Sequence, residues 1–259
     1  MKRIESSGEL YDGINKILAK SSSVCTNFFL PQEETERSLA SGDLFVHHTD
    51  SGILIYRRRE TYYRTYFYLA DPEHPEMEPP DLPAVLEIPY RDRDTTAKNA
   101  VCGFAETGFA TLFHRFRMTR RGSEPDGLGT IIPARPDQLD TLMTLFRENF
   151  HPYAGCIPTE KELADEIAAG HILTDMNASG LLHFTKSRTG SELRHLAVAQ
   201  SMRNRGIAGG LVQTYLSLCG SKKSTVWVRE DNEPAIRTYE KSGYKADGMK
   251  SAVLIYGNN

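Results

Sequence analysis

Cysteine is scarce in this chain. Four residues, Cys25, Cys102, Cys156 and Cys219, are spread over 259 positions with no Cys-x-x-Cys pairing. That spacing argues against the usual zinc frameworks, and without a secretory leader it points to buried or free thiols in a reducing cytoplasm. Long apolar runs are missing too. Nothing approaches the roughly 20 residues needed to cross a bilayer, and the opening MKRIESSGELYDG lacks the apolar centre of a signal peptide. The expectation is therefore a cytoplasmic protein with no membrane partner. Nor is one sign of charge in excess. Thirty-one basic and 34 acidic residues leave a net −3, which gives no reason to expect nucleic acid. The run Arg57–Arg58–Arg59 lies in a β-like stretch, where alternation splits it between two faces. The eight histidines are scattered, and His47 and His48, being adjacent, point apart, so no metal site is expected.

What is present reads as two halves. Leu10, Ile14 and Leu18 recur every four residues and mark a helix, and 32–40 reads as a second. Alternating runs at 43–48, 53–58 and 61–69 read as strands. The stretch 71–83 carries five prolines in thirteen positions and can form no helix, since proline removes the donor and clashes with the preceding turn. A strand at 84–89, a helix at 95–107 and a strand at 109–118 follow, with 119–129 read as a linker. In the second half Pro136 opens a helix with Leu139, Leu142, Leu145, Phe146 and Phe150 on one side. Thr159 and Glu162 have the spacing of a capping box, and Gly170 can close that helix. Strands at 171–176, 178–186 and 191–198, a helix at 207–219, a strand at 224–229, a helix at 233–242 and a final hairpin over 244–256 complete the pass. The order implies a mixed α/β sheet.

The turn MRNRGIAGG, 202–210, joins a strand to a helix. First-turn N–H groups are unpaired and the helix dipole favours an anion there. Gly206, Ala208, Gly209 and Gly210 let a ligand touch backbone, while Arg203 and Arg205 can add charge-assisted bonds to phosphate. The same residues also suit a plain helix start with solvated arginines. With its strand, LRHLAVAQSMRNRGIAGGLV resembles the acetyl-CoA loop of the GNAT acetyltransferases: Arg203, Gly206 and Ala208 match its pattern. The resemblance implies that N–H groups across Arg203, Asn204, Arg205, Gly206, Ile207, Ala208 and Gly209 hold a pyrophosphate, and that Leu196 and Val198 pair with the pantetheine arm. Asn204 stands where glycine is common and Gln200 where proline is. Asparagine tolerates left-handed backbone better than most residues.

A second motif, NEPAIRTYEKSGY at 232–244, resembles the family's asparagine–alanine–tyrosine–glycine–aromatic signature. Asn232 caps a helix by its chemistry alone, and the resemblance adds a bond to the coenzyme arm. Tyr239 reads either as core packing or, by resemblance, as the acid beside the departing sulfur. Without gaps, NAVCGFAETGF (99–109) lies over PAIRTYEKSGY (234–244) at a constant offset of 135, which reads as a duplication. Phe104 then stands over Tyr239, and the proline stretch replaces the loop and helix. The first half is expected to be a degenerate copy that binds no coenzyme, with an unrelated α+β domain as the alternative.

The resulting expectation is an α+β protein of tandem GNAT-like domains, 1–124 degenerate and 129–259 catalytic, each a mostly antiparallel mixed sheet flanked by helices. The implied activity is acyl-CoA-dependent N-acyltransfer from acetyl-CoA to a primary amine of a small molecule or peptide, by direct attack and without metal. A non-catalytic acyl-CoA-binding or protein-interaction module is the alternative. Acetyl transfer needs a neutral amine, a stabilised oxyanion and a protonated leaving thiolate. Tyr239 is the candidate acid, and by resemblance an N–H near Val198 serves the oxyanion. Glu192 is a candidate base: even spacing along one strand puts it on the face of Leu196 and Val198, and the resemblance implies a catalytic glutamate at this point, as in some family members; it also reads as a solvated edge carboxylate. His195 points to the other face.

Overall fold

The computed structural model describes residues 1–21, 23–121, 131–220 and 222–257. The chain forms two compact units, Met1–Arg115 with Met249–Asn259, and Phe116–Gly248. Most of the expected linker lies outside the described residues.

The first unit runs β1 (Lys2–Arg3), α1 (Ser7–Lys20), β2 (Cys25–Thr26), α2 (Gln32–Ser41), β3 (Leu44–His48), β4 (Gly52–Arg58), β5 (Tyr63–Leu69), β6 (Ala84–Arg91), α3 (Thr95–Glu106) and the start of β7 (Ala110–Arg120). Helix α1 is capped by Ser6, whose Oγ accepts from Glu9 N–H at 3.2 Å. It buries Leu10, Gly13, Ile14 and Ile17. Leu18 is half exposed, because at 100° per residue the stripe passes through Ile17 instead. One core, with Tyr56, Phe67, Leu86 and Phe104, contains buried residues of α3; the other, with Ile14, Val46, Ile53 and Tyr66, contains those of α1. Strands β3, β4 and β5 are antiparallel neighbours, and β5 pairs with β6 in parallel. The segment 70–83 contains no helix and packs on α3 at Gly103, where a Cβ would lie 2.5 Å from the Glu73 carbonyl oxygen.

The second unit continues with β8 (Ile131–Pro133), α4 (Leu139–Asn149), α5 (Glu160–Ala168), β9 (Ile172–Asp175), β10 (Gly180–Lys186), β11 (Gly190–Val198), α6 (Ile207–Cys219), β12 (Lys223–Arg229), α7 (Glu233–Lys241) and the start of β13 (Lys245–Tyr256). Strand order within it is β7-β12-β11-β10-β9-β8. The Thr159 capping box forms: its Oγ1 accepts from Glu162 N–H, and Glu162 Oε2 accepts from Thr159 N–H. Two layers cover this sheet. The core with Leu182, Phe184, Leu193, Tyr215 and Tyr239 contains buried residues of α6 and α7, and the core with Leu142, Phe146, Leu163, Leu181 and Ala197 contains those of α4 and α5.

The 135-residue offset reappears in three dimensions. Phe104 and Phe109 meet edge to face with ring centres 5.5 Å apart, and Tyr239 and Tyr244 meet at a tilt with centres 5.8 Å apart. Each pair follows the same helix ending, with Gly108 at φ 99° and Gly243 at φ 82°. Phe109 N–H donates to Phe104 O at 3.2 Å, and Tyr244 N–H to Tyr239 O at 3.0 Å.

The chain end departs from the expected hairpin. Residues 245–256 form one strand, with Gly248 at φ 81° inside it. Asp-Gly signals a hairpin only where its flanks can pair with each other. Here Met249–Tyr256 pairs antiparallel with β6 of the first unit instead, Met249 opposite Arg91 and Tyr256 opposite Ala84. The sequence reading placed residues up to 259 in the second domain; by contact, those after Gly248 belong with the first unit.

Candidate active site

Strands β11 and β12 are parallel and paired only from Gly190–Lys223 to Leu193–Val226. Both continue, to Val198 and Arg229. From Arg194 onward β11 keeps β10 on one side and leaves its other backbone edge open toward β12. A gap between parallel strands exposes unpaired donors and acceptors that an extended amide-bearing chain can meet.

The turn beyond that gap is built on two left-handed residues. Asn204 has φ 63° and Gly206 φ 80°. Gly206 is the N-cap of α6 and offers no side-chain acceptor to the first helical N–H groups. In front of Gly206 and of Gly209 a Cβ would meet nothing within 4 Å. Uncapped donors, a helix dipole and open space together fit a phosphate group. Arg203 does not face that space with a free guanidinium. Its Nε donates to Val198 O at 3.2 Å and its Nη2 to Asn149 Oδ1 at 2.9 Å, so it ties the strand end to α4. Arg205 is exposed.

On the other side of the gap Asn232 caps α7, its Oδ1 accepting from Ala235 N–H at 3.2 Å. One turn on, Tyr239 is buried within the core that also holds Leu193 and Val226. Burial pushes its phenol well above the ordinary tyrosine range, with Tyr244 adding to the effect. It therefore keeps its proton at neutral pH.

Glu192 is not where strand parity would put it. Register between β10 and β11 slips at His183/Phe184, so that Leu193 opposes Phe184 and His195 opposes His183, leaving Arg194 as the extra residue of a bulge. Opposed residues share a face. Leu196 opposes Leu182 and Val198 opposes Gly180, whereas Glu192 opposes Thr185 and falls on the face of His183 and His195. It also lies in the part of β11 still paired to β12, opposite Thr225.

That face carries groups the sequence reading did not single out. The segment after α4 folds into a hook: Gly155 N–H donates to His151 O at 2.8 Å, and His151 Nδ1 accepts from Tyr153 and Ala154 N–H, both at 3.2 Å. Gly155 has no room for a side chain, with His151 O 2.5 Å from an added Cβ. Burial, then Arg229, holds the His151 ring below the ordinary histidine range. Trp227, the sole tryptophan, is the first β12 residue past the pairing. Arg117 lies over its ring at 5.8 Å and is fixed by Asp247 at 2.7 Å. Alternation with buried Val226 and Val228 was the available signal for Trp227; the hook had none.

The first unit has the same parting of strands, filled by its own chain. Pairing of β5 with β6 ends at Thr65–Leu86, and β2 then pairs with Leu69 and Tyr68. Next to β2, Asn27 bridges the two strands. Its Nδ2 donates to Thr65 O (3.3 Å) and Glu87 O (2.9 Å), and its Oδ1 accepts from Phe67 N–H (2.8 Å).

The family model described as acetyltransferase (GNAT) family matches residues 129–244, somewhat less than half of the chain. No curated protein matches. Among solved structures, a GCN5-related N-acetyltransferase from Sphaerobacter thermophilus is 13% identical, with a TM-score of 0.55 over 85% of this chain and 84% of its own. An acetyltransferase of the GNAT family from Colwellia psychrerythraea is 14% identical, with a TM-score of 0.54 over 98% of both chains. A GCN5-related N-acetyltransferase from Kribbella flavida is 12% identical, with a TM-score of 0.52 over 87% and 93%. At these identities the likeness is one of fold, and its coverage takes in both units.

Proposed function

We propose, from the match of residues 129–244 to the GNAT acetyltransferase family, that the chain transfers acetyl from acetyl-CoA to a primary amine through the second unit alone. The observation that carries the reading is the opening of β11 from β12 beside the Asn204–Gly206 turn. The pyrophosphate would take the uncapped N–H groups of Gly206 to Gly209, and the pantetheine amides the open edge at Leu196 and Val198. Asn232, at the head of α7, would bond the arm from the other side. Arg205 adds charge at the turn. Arg203 acts indirectly, by holding the Val198 carbonyl.

In this reading the neutral amine attacks the thioester carbon directly. A backbone N–H near Val198 stabilises the oxyanion, the C–S bond breaks, and the Tyr239 O–H gives its proton to the departing sulfur. Tyrosine recovers that proton from solvent, and the amine's surplus proton leaves to water. We assign no side-chain base, because Glu192 sits where the strands are still closed. The first unit would bind no coenzyme, its gap being occupied by β2 and Asn27.

Isothermal titration of acetyl-CoA into the wild type and Gly206→Glu tests the reading. One site per chain at micromolar affinity, lost in the variant, is the expected result. No binding in the wild type would overturn the reading and favour a protein-interaction module.

A further inference from the structure

His195 sends its side chain to the face of the sheet opposite α6 and α7, into a pocket of aromatic edges. Phe146 and Phe150 meet its ring at 5.0 and 4.9 Å, both near perpendicular. Its Nε2 lies 2.8 Å from the Gly155 carbonyl oxygen, and its Nδ1 lies 3.0 Å from Nδ1 of His183, itself almost fully buried. A carbonyl oxygen only accepts, so His195 Nε2 carries a proton. In a neutral ring Nδ1 is then bare and must accept, which puts the His183 proton on Nδ1. His183 Nε2 is left bare and buried, 3.8 Å from Glu166 Oε2 and beyond hydrogen-bond length. Both tautomers follow from one contact.

The direction of these bonds matters. A proton cannot travel outward through His195, because its outer N–H ends on a carbonyl. The array is a tether rather than a relay. What it holds is the 151–155 hook, whose Gly155 carbonyl is the anchored atom and whose His151 lies near enough to Arg229 of β12 for that charge to lower its pKa. The hook thus spans from β11 toward β12.

We propose that His195, locked in its Nε2–H tautomer by His183, is a positioning residue that fixes the 151–155 hook on the face from which the acceptor amine approaches. The acceptor side rests on the acetyltransferase reading; the tether does not. Groups facing the pair are Glu166 of α5, His171 in the turn after it, and Arg194 of β11. Burial foremost keeps His183 neutral, with Arg194 and His171 acting the same way and Glu166 against them. When acid does protonate His183, the new N–H faces Glu166 and the Gly155 bond is kept.

The test needs no substrate. Nitrogen-15 imidazole spectra of the full chain at pH 7.5 are expected to show His195 protonated at Nε2 and His183 at Nδ1. Amide exchange at Tyr153, Ala154 and Gly155 should quicken at least tenfold in His195→Phe, which keeps the ring but has no donor. His195→Gln, whose amide can reach the same carbonyl, should restore protection to within about threefold. A bare Nε2 on His195, or equal exchange in both variants, would overturn the proposal. If His195→Phe does not fold, the wild-type spectrum and the Gln variant still decide it. Acetyl-CoA titration of the same samples separates the two readings: absent binding with an intact tether sinks the acetyltransferase reading only, and protected amides in His195→Phe with normal binding sink the tether only.

Discussion

Asn27 donates its side-chain amide to the Glu87 carbonyl at 2.9 Å, across the place where β5 and β6 have parted. Its other bonds, to Thr65 O and Phe67 N–H, supply the opposite strand with the partners it lacks. Unpaired backbone groups at a parted strand pair must be satisfied by something. In the proposed reading the second unit leaves that to the coenzyme, whereas the first unit satisfies them with its own chain. Acetyl-CoA should therefore saturate at one equivalent per chain, read by titration. Asn27→Ala should lower unfolding free energy by about 1–3 kcal/mol, the cost of leaving buried backbone groups unpaired, without creating a second site. Two equivalents in either protein would contradict this account.

Gly206 separates strain from obstruction. Its φ of 80° is adopted by other L-residues at a cost of about 1–2 kcal/mol, yet the space before it is open. Gly206→Ala should lose roughly that much stability in a denaturant melt and bind acetyl-CoA within about tenfold of wild type. Gly206→Glu should melt similarly and bind too weakly to measure, because its carboxylate repels the pyrophosphate. Equal affinities for the two variants would show that the turn does not hold phosphate.

Tyr239 and Glu192 divide the catalytic question. Tyr239→Phe should cut turnover by about 10²-fold or more, the range for a lost general acid, while acetyl-CoA affinity changes little. Because burial raises the Tyr239 pKa, its neutral form persists above the ordinary tyrosine range. No alkaline loss of turnover attributable to this group is expected up to pH 10. Glu192→Gln should leave kcat/KM within about twofold across pH 6–9. A lost acidic limb in that variant would restore Glu192 as the base.

Much of this architecture was legible in the sequence because local chemistry and tertiary fate agreed. Pro136, the Thr159–Glu162 box, the Asn232 cap and the 207–219 helix are written in residues whose effect is local. The constant offset between 99–109 and 234–244 foretold the paired aromatics at Phe104–Phe109 and Tyr239–Tyr244. Three features were hidden, each for a non-local reason. The bulge at Arg194 is a register slip against β10, and strand parity alone cannot show it; it moved Glu192 to the other face. Gly248 reads as a turn until β6 is known to wait for residues 249–256. The Asn27 bridge joins residues 38 and 60 positions away, and nothing near Asn27 announces it.

Acid stability follows from Glu166 and His183. The neighbouring His183 ring, 3.8 Å away, and the hydrogen bond with His171 at 2.7 Å hold Glu166 at about 2, whereas an unfolded glutamate titrates near about 4.3. A depressed folded-state pKa stabilises above the unfolded value, and that contribution fades as pH falls from about 4.3 through 2. His183 is depressed by burial, so it has the same sign in a higher window: below about 6.5 the unfolded chain takes up a proton that the folded ring resists. Glu166→Gln should therefore act oppositely in the two windows. Below pH 4.3 the variant loses less stability than wild type, since it has no carboxylate to protonate. Between pH 6.5 and 5 it loses more, because the one group that favours charge on His183 is gone. Thermal melts of both proteins from pH 3 to 8 give a Tm difference that should widen from pH 7 to 5 and narrow again below 4.3. A difference that stays flat across that range would show that neither His183 nor Glu166 titrates differently in the folded chain.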